Sequence, residues 1–185
     1  MRARDPRRGP STHELDFADI VRPELDRLLR SAVLLCGDWH QAEDLVQTVL
    51  TRVYASGRWR KADRPYDYLR KSVTNEFLAR RRLRSARTIS LTDSIDEGLF
   101  GSWEDPDPAA RIDLLNALGQ LSALDRAVLV LRYFEDLSVN DTAAMLNTSA
   151  GAVRTRSGRA LAKVRDLLDP ARCATPVETT GRKPS

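Results

Sequence analysis

The chain has 185 residues, 42% hydrophobic but only 6% aromatic, with 30 cationic and 26 acidic side chains and a net charge of +4 at pH 7. This length allows one domain or two small ones, and so slight a basic excess makes the placement of charge matter more than its sum. No apolar run reaches the roughly 20 residues of a membrane span, and the start, MRARDPRRGP, lacks the apolar core of a signal peptide; a cytoplasmic protein with no membrane partner is expected. Cys36 and Cys173 stand far apart with no CxxC or Cys/His neighbour, and His13 and His40 have no evident nucleophile or metal partner. With no Walker-type glycine loop either, the sequence predicts no catalytic residue, no metal and no cofactor.

In chain order, residues 1–12 read as a disordered tail and residues 13–84 as the first helical domain. Within it, 39–56 predicts one amphipathic helix. Ala42, Leu45, Val46, Val49, Leu50, Val53 and Tyr54 make its buried side, while Asp44, Gln47, Thr48 and Thr51 recur at i, i+3, i+4 and i+7 on the other. A solvated face is the plain reading of that polar stripe. A second helix is predicted over 65–84, with Pro65 in its first turn and Tyr68, Leu69, Val73, Phe77 and Leu78 on its packed side. Seven cations face one acid, Glu76, between Arg70 and Arg87, and Trp59, Tyr66 and Tyr68 lie just before them. Cations that track phosphates beside aromatic faces that receive unstacked bases are the means of single-strand binding; the same aromatics can equally be core.

Residues 85–108 change character, with two prolines, two glycines, and six acids from Asp93 to Asp107. They read as an acidic flexible linker. Helical patterning resumes over 109–169, a second domain, and 170–185 read as a disordered tail. The fold class expected is all-α: two small helical domains, the second a helix-turn-helix domain.

That second domain carries the most specific pattern. Ser138 and Asp141 form a capping box that opens a short helix, Asn147-Thr148-Ser149 breaks it, and Thr148 or Ser149 can cap the next. At about 100° per residue, Val153, Ser157, Ala160, Leu161, Val164, Leu167 and Leu168 share one side of this last helix. Arg154, Arg156, Arg159, Lys163 and Arg165 share the other, with no acid among them. A cationic amphipathic helix is often only a solvated face, but a capped partner and a tight turn are what place such a helix in the DNA major groove. A duplex-reading helix on one domain and a basic, aromatic-flanked segment on the other suit a protein that holds DNA at two places and opens one. The alternative is a two-domain helix-turn-helix transcriptional regulator that acts without a polymerase.

Four stretches together, AEDLVQTVLTRVY (42–54), DYLRKSVTNEFLARRRLR (67–84), LSALDRAVLVLRYFEDLSVNDTAAML (121–146) and GAVRTRSGRALAKVR (151–165), resemble the extracytoplasmic-function sigma factors, sigma-70 proteins that keep only regions 2 and 4. The resemblance implies a non-enzymatic protein that directs promoter-specific transcription initiation. Its partners would be core RNA polymerase, through the β′ clamp helices and β flap, and promoter DNA, with an anti-sigma factor as a candidate third. Region 2 would dock on polymerase through Asp44, Gln47, Thr48 and Thr51. It would meet the melted −10 element through Trp59, Tyr68, Lys71, Asn75, Arg80, Arg81 and Arg84. Region 4 would read the −35 element through Arg154, Thr155, Arg156, Gly158, Arg159 and Lys163. Leu129, Val130, Tyr133 and Phe134 match the flap-contacting positions, some of which must also be core. The connector would run toward the active-site cleft, where its acids could mimic RNA charge or serve merely as a solvated spacer. Tyr68 stands where many members have Trp, Ala152 where Thr is usual, Asn147 where Gly is common, and Gly158 where some carry a larger base-contacting side chain.

Overall fold

A computed structural model describes residues 12–62, 64–86 and 107–169, with side chains described over 17–62, 64–83 and 107–169. The expected tails and most of the expected acidic linker lie outside these residues. The described chain is helical, in the order α1 (Thr12–Val21), a 3-10 turn (Arg22–Glu24), α2 (Leu25–Cys36), α3 (Trp39–Ser56), a second 3-10 turn (Arg58–Lys61), α4 (Pro65–Ala86), α5 (Pro108–Gly119), α6 (Ala123–Leu129), a π-helical turn (Val130–Phe134), α7 (Val139–Met145) and α8 (Ala150–Leu168).

Local chemistry sets most of these boundaries. Gly37 and Gly57 end α2 and α3 in the left-handed region, at φ 80° and 64°, where a Cβ would be strained. Asp38 caps α3 by accepting the Gln41 N–H at 2.7 Å, and Asp107 caps α5 by accepting that of Ala110 at 3.0 Å. Pro108 follows at the first helical position, where its missing N–H costs nothing. The helices therefore run to Ala86 and from Pro108, slightly into the stretch whose composition reads as linker.

The 109–169 segment is more broken than its apolar pattern predicts. Ser122 starts α6 afresh by accepting the Asp125 N–H at 3.2 Å. The helix then widens: Glu135 N–H reaches back five residues to Val130 O at 3.0 Å, the closure of a π turn, and Leu137 N–H reaches six back to Leu131 O at 2.9 Å. Asp136 exits it at φ 53°. This widening turns Glu135 inward, with its side chain fully buried, and leaves Tyr133 57% exposed.

The two helical halves also pack against each other. A single apolar cluster runs from Leu28, Leu35, Leu45, Leu69 and Val73 in the first half to Leu115, Leu118, Ala127, Val130 and Val164 in the second. Helix α2 touches α5, α6 and the π turn, and α4 touches α6. Each fully buried Leu, Val or Phe contributes about 1.5–3 kcal/mol relative to its exposed form, and the contacts between the halves are sparser than those that build each half. A small satellite of Val128, Ala143 and Val153 packs α7 and α8 against α6.

Candidate nucleic-acid interface

The turn between α7 and α8 follows from its residues. Ser138 accepts the Asp141 N–H at 3.0 Å, Asn147 takes the left-handed conformation at φ 51°, which Asn tolerates, and Ser149 caps α8 by accepting the Ala152 N–H at 3.1 Å. Val153, Ser157, Ala160 and Val164 are the buried face of α8, as the periodicity predicts.

The opposite face divides. Arg154, Thr155, Gly158 and Arg159 are exposed, and a Cβ built on Gly158 meets nothing within 4 Å. Arg156 instead pairs with Asp125 at 2.7 Å, and Lys163 donates to Gln120 O at 2.6 Å. These two cations fasten α8 to α6 and to the end of α5, which sets the angle at which the other four residues are presented. Burial alone would raise the Asp125 pKa, but hydrogen bonds from Ser122 and Arg156, with the charges of Arg156 and Arg159, hold it below its ordinary value.

The basic segment of the first half also divides. Trp59 is buried, its ring centroid 5.0 Å from that of Phe17, with the Arg60 guanidinium 4.9 Å from its own. It is a core residue here, not a platform for a base: a large apolar ring beside α1 gains more from packing than from solvent. Arg81 lies over Phe77 and donates to Cys36 O at 3.4 Å. Arg80 reaches Asp44 at 2.6 Å, Thr48 at 3.0 Å and Glu76 at 3.0 Å, and Glu76 also binds Arg52 at 2.5 Å. The residue expected on a phosphate is thus bonded into the stripe expected on the polymerase. Asp44, Gln47 and Thr51 remain exposed on that stripe and Thr48 is half-buried. Lys71 and Asn75 are exposed on α4, with half-buried Tyr68 one and two turns before them. The Arg84 side chain lies outside the described residues.

Tyr68 and Lys71 open onto a cleft of about 620 Å³, whose other wall includes Leu137, Asp141 and Met145 of the second half. Of the expected flap-contacting set, Leu129 and Val130 are core and Phe134 is half-buried against it; Tyr133 alone is largely exposed.

Sequence reasoning missed a buried polar cluster between the halves. The Glu135 carboxylate accepts from the Tyr66 hydroxyl at 2.9 and 3.0 Å, from Arg70 at 3.2 Å and from the Ser31 hydroxyl, and pairs with Arg27 at 3.1 Å. Arg70 is held in turn by Asp67 at 2.7 Å. Burial, then the Glu135 charge, push the Tyr66 pKa well above the usual phenol range. Nearby, buried Arg126 donates to Leu35 O at 2.7 Å and to Gly119 O at 2.8 Å; burial pushes its pKa down to about 10. The one signal in the sequence was an arginine on the apolar side of α6.

Both halves match family models: Sigma-70 region 2 over residues 20–89 and Sigma-70, region 4 over residues 111–164. The RNA polymerase sigma-E factor of Streptomyces avermitilis is 39% identical over 84% of this chain and 86% of its own length. The ECF RNA polymerase sigma factor SigE of Mycolicibacterium smegmatis is 35% identical over 81% of this chain and 60% of its own. Among solved structures, the sigma factor RpoE of Bartonella quintana, in complex with the anti-sigma factor NepR, superposes with a TM-score of 0.65 at 26% identity, covering 83% of this chain and 96% of that one. The chain belongs to the sigma-70 family of RNA polymerase sigma factors, with regions 2 and 4. It is of the extracytoplasmic-function kind, and these matches favour a sigma factor over a polymerase-independent regulator.

Proposed function

We propose that this sigma factor, acting in the cytoplasm and performing no chemistry of its own, docks on core RNA polymerase through the Asp44, Gln47, Thr48 and Thr51 face of α3. It sets α8 in the −35 major groove through Arg154, Thr155, Gly158 and Arg159, and captures unstacked −10 bases beside Tyr68, Lys71 and Asn75. Capture offsets the few kcal/mol that unpairing and unstacking cost, so binding itself drives strand opening. Arg156 and Lys163 hold α8 at its angle, and Arg80 and Arg81 brace α4. The observation that carries the reading is the exposed basic side of a capped, well-packed α8 in a chain whose other half bears an exposed polar stripe. An anti-sigma factor is a further partner, a reading supported by the solved relative bound to one.

Run-off transcription with core polymerase tests this. Wild type is expected to initiate at defined promoters. Asp44→Ala with Gln47→Ala is expected to weaken core binding and leave duplex binding intact; unchanged core binding sinks the docking assignment. Arg159→Ala is expected to alter −35 preference. A loss uniform across sequences would make it a phosphate contact instead.

A further inference from the structure

We propose that Glu135 is an intramolecular latch: seated in the socket of Arg27, Ser31, Tyr66 and Arg70, it holds the free protein closed and keeps region 4 over the −10 face. The socket belongs to α2 and α4 of region 2, and Glu135 belongs to region 4. Its carboxylate has no exposure, and four side chains of the other half bond or pair with it. A buried carboxylate left without partners is strongly disfavoured, so a Glu135 bonded on both oxygens favours one arrangement of the halves. Arg126, bonded across the junction to Leu35 O, reinforces it.

Two consequences make the closed form incompetent. Elements at −35 and −10 are about 25 base pairs apart, or about 85 Å of duplex at 3.4 Å per step. A compact chain of this size has a radius of gyration near 16 Å and a diameter of about 40 Å, so the closed body cannot reach both. In addition, the cleft places Asp141 of α7 opposite Tyr68 and Lys71, where a carboxylate repels an incoming phosphate backbone. Opening frees both surfaces and returns Glu135 to solvent.

The inference rests on the functional reading only for its consequence, not for the latch itself. In a background of Cys36→Ala and Cys173→Ser, dyes on Ala55→Cys and Ala162→Cys, at exposed positions of α3 and α8, report the distance between halves in the free full-length chain. High energy transfer is expected without Glu135 substitution. Glu135→Gln keeps the size and one acceptor oxygen, but replaces the other with a donor and removes the attraction to two arginines; it is expected to lower transfer. It is also expected to tighten binding of a fluorescent single strand bearing the −10 sequence of a mapped promoter, about tenfold if nine-tenths of the free protein is closed. Tyr66→Phe is expected to shift both readouts in the same direction by less. Low transfer in the parent, or parental transfer in a Glu135→Gln protein of native helicity, overturns the latch. If Glu135→Gln fails to fold, unchanged transfer in Tyr66→Phe overturns it equally. Transfer in the free chain needs no polymerase, so a latch that behaves as expected in a protein inactive in transcription would fault the functional reading alone.

Discussion

Gly158 is an exposed, helix-interior glycine with open space where a side chain would begin. In the free protein nothing requires it, and glycine there costs about 1 kcal/mol relative to alanine. Gly158→Ala is therefore expected to raise the thermal midpoint by a few degrees, while changing which −35 sequences bind; the two effects separate a stability role from a reading role. Cys36 is the opposite case. Burial pushes its thiol up to about 11, against the lowering charges of Arg81 and Arg126, so almost no thiolate exists at neutral pH. In a Cys173→Ser background, iodoacetamide is expected to label Cys36 far more slowly than a free thiol, and fast labelling would show that the junction beneath α4 opens readily.

At the scale of elements, the helix-turn-helix depends on caps and on one ion pair. Ser149→Ala removes the acceptor for the Ala152 N–H and is expected to cost about 1 kcal/mol, read as a lower urea midpoint with an unchanged slope. The Asp125–Arg156 pair ties α8 to α6. Because the Asp125 pKa is depressed in the folded state, its contribution is fully present above the ordinary value of 3.8 and is lost as pH falls through the folded value. Asp125→Asn is expected to flatten the acid limb of the stability profile below about pH 5. With the side chain 28% exposed, the effect is modest and screened by salt.

At the scale of the molecule, a shared apolar cluster packs regions 2 and 4 against each other, and the two are expected to unfold together. Leu35 is buried at the junction and its carbonyl receives Arg126. Leu35→Ala is expected to cost about 2–5 kcal/mol and to lower the melting of both halves together, read by tryptophan fluorescence near Trp59 and by a probe on α8. Two separate transitions, with only the first shifted, would mean independent domains.

Much of the candidate site was legible in the sequence. Local rules fix helix periodicity, the Ser138 and Ser149 caps, the Asn147 turn and the packed side of α8, because each depends on neighbours three or four residues away. The all-α class and the exposed Arg154, Thr155 and Arg159 follow from the same local rules. What the sequence left undecided were questions of partnership over long separations. Trp59 became core because α1 supplied Phe17. Arg80, Arg156 and Lys163 bonded within the protein because Asp44, Asp125 and the Gln120 carbonyl happened to lie within reach. Glu135 turned inward because a π turn rotated it out of helical register toward two arginines far away in sequence. A cation's identity shows in the chain, but whether it meets DNA or a carboxylate depends on which surfaces the fold brings together, and only the tertiary structure decides that.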